Sequence, residues 1–265
     1  MKLRLPFLNN PPLVSIVRLN GAIGMPGRGS LSDVALEPVL EKAFRKGKPS
    51  AVALEINSPG GSPVQSSLIG TRIRNLSEET GVPVIAFVED VAASGGYWLA
   101  SAADEIYADE SSVIGSIGVI SAGFGAHVLL ARQGVERRVY TAGKSKSQLD
   151  PFRPEDPEDI ARLQVILDDI HKAFITHVKD RRGDRLDARA DIFTGEFWLA
   201  RRALDLGLID GIAHLKPKLK ARFGEKVQFR RYGLKRPFLS RIGAGLSEQA
   251  FASIEERAQF ARFGL

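Results

Sequence analysis

Residues 82–97 read Val-Pro-Val-Ile-Ala-Phe-Val-Glu-Asp-Val-Ala-Ala-Ser-Gly-Gly-Tyr. The apolar, β-branched run over 82–88 has the length and composition of a buried strand, and helical spacing resumes at Ser94 and continues to 103. A strand that breaks at Ala92-Ala93-Ser94-Gly95-Gly96-Tyr97 into a helix is one β-α step. The same step occurs one strand earlier, where a run over 51–56 ends in Asn57-Ser58-Pro59-Gly60-Gly61-Ser62 ahead of helical spacing over 64–76.

Outward from these two turns, further short apolar runs at 13–19, 105–108, 117–121 and 137–141 are expected as strands. Helical spacing is found over 32–45 and 125–133. A long helix is expected over 157–182, with Pro157 suited to its first turn, acids at its start and Lys179, Arg181 and Arg182 at its end. Its apolar stripe is Ile160, Leu163, Ile166, Leu167, Ile170, Phe174 and Ile175. Residues 197–206 read as one more helix, closed by Gly207, with a short strand at 209–213. This alternation predicts an α/β fold of stacked β-α units around a mainly parallel sheet.

The chain has 265 residues, 44 % of them hydrophobic, enough for one substantial core. It has no cysteine, so thiol nucleophiles, thiolate metal sites and disulfides are excluded. The first 24 residues carry only short apolar runs, broken by Asn9, Asn10, Pro11 and Pro12, which fits neither a signal-peptide core nor a membrane span. A cytoplasmic location, with peripheral contact to the inner membrane as a further expectation, follows from that reading. The net charge of +6 is uneven: residues 216–241 sum to +9 and the rest to −3. We therefore expect a catalytic domain over 1–215 and a basic extension over 216–265, poorly packed or attracted to an anionic membrane surface, with an amphipathic helix over 247–263. No nucleic-acid module is recognisable.

Acyl transfer needs a nucleophile at a sharp turn and backbone N–H donors aimed where the oxyanion forms. Ser94 meets the first need, and the amides of Gly95 and Gly61 the second. One Gly-Gly turn alone is weak; two on consecutive strands are a pattern. A serine also needs a base. The four histidines, His127, His171, His177 and His214, have no spacing that suggests this role or a metal pair. A desolvated lysine can serve instead, because burial disfavours the ammonium. Thr141-Ala142-Gly143-Lys144-Ser145-Lys146-Ser147 offers two, and spacing does not separate Lys144 from Lys146. The glycine that a phosphate loop needs five positions before Gly143 is absent, that position being Arg138.

With the two glycine turns, then Gly115-Ser116-Ile117-Gly118-Val119, then the lysine segment Ala142-Gly143-Lys144-Ser145-Lys146, then Phe193-Thr194-Gly195 and Leu206-Gly207-Leu208-Ile209-Asp210 in this order, the chain resembles the signal peptide peptidase A family, serine-lysine peptidases of the ClpP/crotonase fold. The likeness runs from about Ile16 to Ala213 and is to the short, single-copy form. It implies Ser94 as nucleophile, Lys146 as general base, Gly61 and Gly95 as oxyanion hole, and Ser116 as the serine that orients the lysine. It also implies no cofactor or metal, hydrophobic peptide substrates, and a homo-oligomer. The rivals are an acyl-CoA hydratase or isomerase of the same superfamily, which would rely on Glu55 or Asp90, and a scaffold without turnover. A ClpP-like protease would need a histidine near Val119.

Overall fold

The computed structural model describes residues 11–24, 30–234 and 259–265. Eight strands form one sheet: β1 (Leu13–Asn20), β2 (Ala51–Ser58), β3 (Val84–Ala93), β4 (Glu105–Ala108), β5 (Val113–Gly115), β6 (Phe197–Leu199), β7 (Gly211–Ile212) and β8 (Gln228–Tyr232). The path is β6-β5-β3-β2-β1-β8, and all its pairs are parallel except β5 with β6. Parallel neighbours need crossovers, and α1 (Asp33–Arg45) and α2 (Pro63–Thr80) supply the first two. Each starts as the sequence requires: Ser32 Oγ accepts from Ala35 N, and Ser62 Oγ accepts from Gln65 N with Pro63 in the first turn.

The sheet forks on β3. Its first half, Ile85–Val88, pairs with β4, which pairs in turn with β7, while Val91–Ala93 pairs with β5. The fork lets the chain leave β3 at Ala93 with β5 beside it and the helix α3 (Gly95–Ser101) directly ahead. On one face of the sheet the main core joins Leu36, Leu40 and Phe44 of α1, Ile69 and Ile73 of α2, Tyr97 and Leu99 of α3, and Phe174 and Val178 of α5 (Pro157–Arg182). The other face is covered by α7 (Leu215–Phe223), whose Leu215 and Leu219 pack on Val14, Ile16, Ile85 and Phe87.

The helices at 32–45, 64–76 and 157–182 and the strands at 13–19, 51–56, 82–88 and 105–108 stand where the pattern puts them, within a few residues at their ends. Three expectations are corrected. Residues 197–206 divide into β6 and the short helix α6 (Ala200–Asp205), because β5 offers an unpaired edge. Neither 117–121 nor 137–141 is a strand. Residues 216–232 are not a loose basic tail: α7 closes a core, and β8 extends the sheet beside β1. Their cations are held by the fold, with Arg231 on Glu55 and Lys218 over the Tyr107 ring at 4.3 Å. The helix expected over 247–263 lies mostly outside the described residues; 259–261 are helical.

Between Ile120 and Asp156 the chain makes an exposed excursion that carries the short helix α4 (His127–Arg132). No residue of it is buried, and Phe124 and Tyr140 are 92 % and 90 % exposed. It is tied locally, by the Arg137–Asp150 ion pair and by Ala126 N donating to Pro151 O at 2.6 Å.

Candidate active site

Ser94 is the hinge between β3 and α3. Its backbone stands at φ 51° and ψ −123°, a left-handed conformation that non-glycine residues seldom adopt. Such strain persists only where the surroundings impose it, and tends to be found at functional sites. Here Ser94 N donates to Gly115 O at 2.8 Å, and Ser94 O accepts from Tyr97 N and Trp98 N. The first turn of α3 is packed so tightly on β2 that a Cβ on Gly96 would meet Ser58 O at 2.3 Å. Behind it, Tyr97 is fully buried and its hydroxyl donates to Leu208 O at 2.8 Å.

Two glycines line a pocket together with this serine. The Gly95 N–H lies in the first turn of α3, where an amide has no partner within its own helix. Gly61 bridges Ile23: Ile23 N donates to Gly60 O and Ser62 N donates to Ile23 O, so the Gly61 N–H between them points to the opposite side. No larger residue replaces Gly61, because its Cβ would stand 2.1 Å from Ile23 O. Gly61, Gly95 and Ser94 together line a side pocket of about 100 Å³ whose walls are Trp98, Val119, Ile170 and Phe174. Trp98 is fixed by ring stacking on Phe174 and on His177, at 4.9 and 4.7 Å between centroids.

The pocket opens beside a cleft of about 560 Å³ that Ser94 and Gly61 share with Ser116, His171, Thr194 and Arg262. Ser116 lines the cleft in left-handed backbone at φ 52°. Lys146 does not. It lies on the exposed excursion, in a turn closed by its own N donating to Gly143 O, and lines neither the cleft nor the pocket. Lys144 is solvated too, and pairs with Glu158 at 3.5 Å. Within one copy of the chain, then, the structure brings together Ser94, Gly61, Gly95 and Ser116 and leaves both lysines outside.

The carboxylates of the rival reading are elsewhere. Glu55 is buried against Arg231, and Asp90 accepts from Asn57 Nδ2 at 2.6 Å; neither lines the cleft. The sequence placed Ile170 and Phe174 in the apolar stripe of the long helix, Thr194 in the Phe193-Thr194-Gly195 motif and His171 among histidines set aside as bases, but gave none of the four a part in the site. A signal was present for the helix: 171, 174 and 178 share a face, and that face turns out to be the one α5 buries.

A forked, mainly parallel sheet with a strained serine at a strand-to-helix turn beside two glycines is an α/β fold of the ClpP/crotonase type. The chain belongs to peptidase family S49, whose model matches residues 77–223, more than half of its length. It is 47 % identical over 271 residues to part of a protein of Brucella abortus named Na(+)/H(+) antiporter NhaA, covering 95 % of this chain and 37 % of that protein. It is 32 % identical over 203 residues to the chloroplastic serine protease SPPA of Arabidopsis thaliana, covering 76 % and 29 %. The chain thus spans about a third of each of these relatives. Among solved structures, a membrane-bound stomatin-specific protease bound to a substrate peptide aligns with TM-score 0.54 and 15 % identity, over 92 % of this chain and 98 % of that one, which establishes the likeness of fold.

Proposed function

We propose that the chain is a serine endopeptidase in which Ser94 of one copy is served by Lys146 of a neighbouring copy, acting on extended peptides with an apolar residue at the scissile bond. The observation that carries this is the strained Ser94 lining an apolar pocket together with Gly61 and Gly95. A second copy as the source of the base is supported by the excursion itself. It carries the lysine, buries none of its own residues and exposes Phe124, Tyr140 and Leu129. A desolvated amine also needs a covering surface, which the described residues of one copy do not give it.

In the reaction, neutral Lys146 takes the Ser94 proton, and the alkoxide attacks the peptide carbonyl. Gly61 and Gly95 donate to the tetrahedral oxyanion, a contribution of about 3 kcal/mol per donor in comparable sites. The lysine then protonates the leaving amine, and a water activated by the same amine releases the acyl-enzyme. Ser116, on the cleft wall, is placed to hold the arriving ammonium in line. The small side pocket, walled by Trp98, Ile170 and Phe174, favours a compact aliphatic side chain. No helix among the described residues is long and apolar enough to cross a membrane.

The test is complementation. Ser94→Ala and Lys146→Ala are each inactive alone; mixed under conditions that exchange subunits, they regain activity, because some sites then combine an intact Ser94 with an intact Lys146. If each variant is inactive and the exchanged mixture stays inactive, the base comes from the same chain. If Lys146→Ala alone keeps wild-type activity, lysine is not the base.

A further inference from the structure

The loop after β5 forms one wall of the cleft, and a side chain that the proposed mechanism does not use holds it. Ser116 N donates to Glu196 O at 2.7 Å, and Gly118 N donates to Ser116 O at 3.0 Å. Between them lies Ile117, fully buried, whose carbonyl accepts from His171 Nε2 at 3.0 Å. A carbonyl oxygen only accepts, so Nε2 carries a proton whether the ring is neutral or charged.

His171 projects from α5, and its neighbours Ile170 and Phe174 on that helix wall the side pocket beside Ser94. One turn of α5 thus shapes the pocket and grips the loop together. The grip matters because Ser116 stands at φ 52°, a conformation that relaxes unless neighbouring contacts impose it. Gly118, two residues on, is pressed against Gly195, where a Cβ would meet Gly195 Cα at 2.9 Å, so the loop has little room to shift without deforming the cleft.

We infer that His171 is a positioning residue of the active site: by donating to the Ile117 carbonyl it fixes Ser116 and Gly118 along the cleft wall, and so sets the rate at which Ser94 is acylated. This rests on Ser94 being the nucleophile. A histidine that only fills space between α5 and the loop would affect stability and leave the acylation rate of folded protein alone.

The experiment compares His171→Gln, whose amide nitrogen reaches about where Nε2 stands, with His171→Leu, which has no donor. In the full chain, labelling of Ser94 by a fluorophosphonate probe is timed, kcat and KM are measured on an extended apolar peptide, and thermal midpoints are recorded. Loss of one such hydrogen bond predicts about tenfold slower labelling and about tenfold lower kcat for His171→Leu, with KM within about twofold. His171→Gln stays within about threefold of wild type on both rates. Wild-type labelling by His171→Leu, or a His171→Gln rate as low as that of His171→Leu, overturns the inference. Should His171→Leu not fold, His171→Asn replaces it; its amide is too short for the Ile117 carbonyl, so the same loss is expected and a wild-type rate is again fatal. A wild-type chain that takes up no probe at Ser94 would instead remove the nucleophile assignment, and this inference with it.

Discussion

Ser94 carries two demands that oppose one another, since the turn it occupies suits glycine and the chemistry needs a hydroxyl. At φ 51° a Cβ costs about 1–3 kcal/mol, of which glycine would return part and lose about 0.5–1 kcal/mol to its extra freedom when unfolded. Ser94→Gly and Ser94→Ala should therefore both be inactive, while the glycine variant is the more stable of the two by about 1 kcal/mol in denaturant midpoint analysis. An alanine variant at least as stable as the glycine one would show that the turn is not strained. The same residue was legible in the sequence because the signal is local: a strand, a small residue, a serine and two glycines within a few positions. Lys146 was legible only as one of two lysines, since the partner it needs lies far along the chain or on another copy.

Helix α5 shows how one element can serve two environments. Its last turns are core, with Phe174, Val178 and Arg182 buried, whereas Ile160, Val165 and Ile166 nearer its start are exposed. His177 lies in the buried part, stacked on Trp98, with Nε2 donating to Trp98 O at 3.1 Å and lying 3.0 Å from Ser101 Oγ. Burial pushes its pKa down to about 4, against the help of the Trp98 carbonyl. The unfolded chain takes up this proton near pH 6.5 and the folded one does not until about pH 4, so the stability tied to neutral His177 declines as pH falls through that window, by up to about 3 kcal/mol. Urea midpoints from pH 7 to 4 should fall less steeply in His177→Gln than in wild type; parallel curves would exclude the role.

At the end of the same helix, Arg182 is 2 % exposed and forks onto Asp210 at 2.8 and 3.1 Å, while Asp210 also accepts from Ile106 N at 2.7 Å. Burial is the largest single effect and raises the Asp210 carboxyl, but the Arg182 hydrogen bonds and charge, the Ile106 N–H and the Arg185 charge together outweigh it and hold the carboxyl below its ordinary value. Its contribution is present above about pH 4 and is lost as pH falls further. Asp210→Ala, which leaves the Arg182 charge buried, is expected to lose about 3–5 kcal/mol in thermal or urea unfolding at neutral pH. A loss under about 1 kcal/mol would mean that water reaches the guanidinium.

For the molecule as a whole, the excursion over 120–156 together with the start of α5 exposes apolar residues that no described residue covers, among them Phe124, Leu129, Tyr140 and Ile166. If it seats on another copy and delivers Lys146, specific activity must depend on protein concentration. Dilution should lower it in step with loss of the oligomer seen by analytical ultracentrifugation, and Phe124→Asp with Tyr140→Asp should shift both curves to higher concentration. Full activity in a verified monomer would sink the shared site.

The stacked β-α order, the two glycine turns and the serine at the head of the second were determined by the sequence itself, because hydrophobic period and turn chemistry act over a few residues. The forked pairing of β3 with both β4 and β5, the seating of 215–232 in the fold, and the absence of strands at 117–121 and 137–141 were decided by tertiary structure. A run with strand character becomes a strand only where another backbone offers its hydrogen bonds, and a cationic run becomes part of a fold only where its apolar residues find a face to cover. Those partners are distant in sequence, so no local pattern records them.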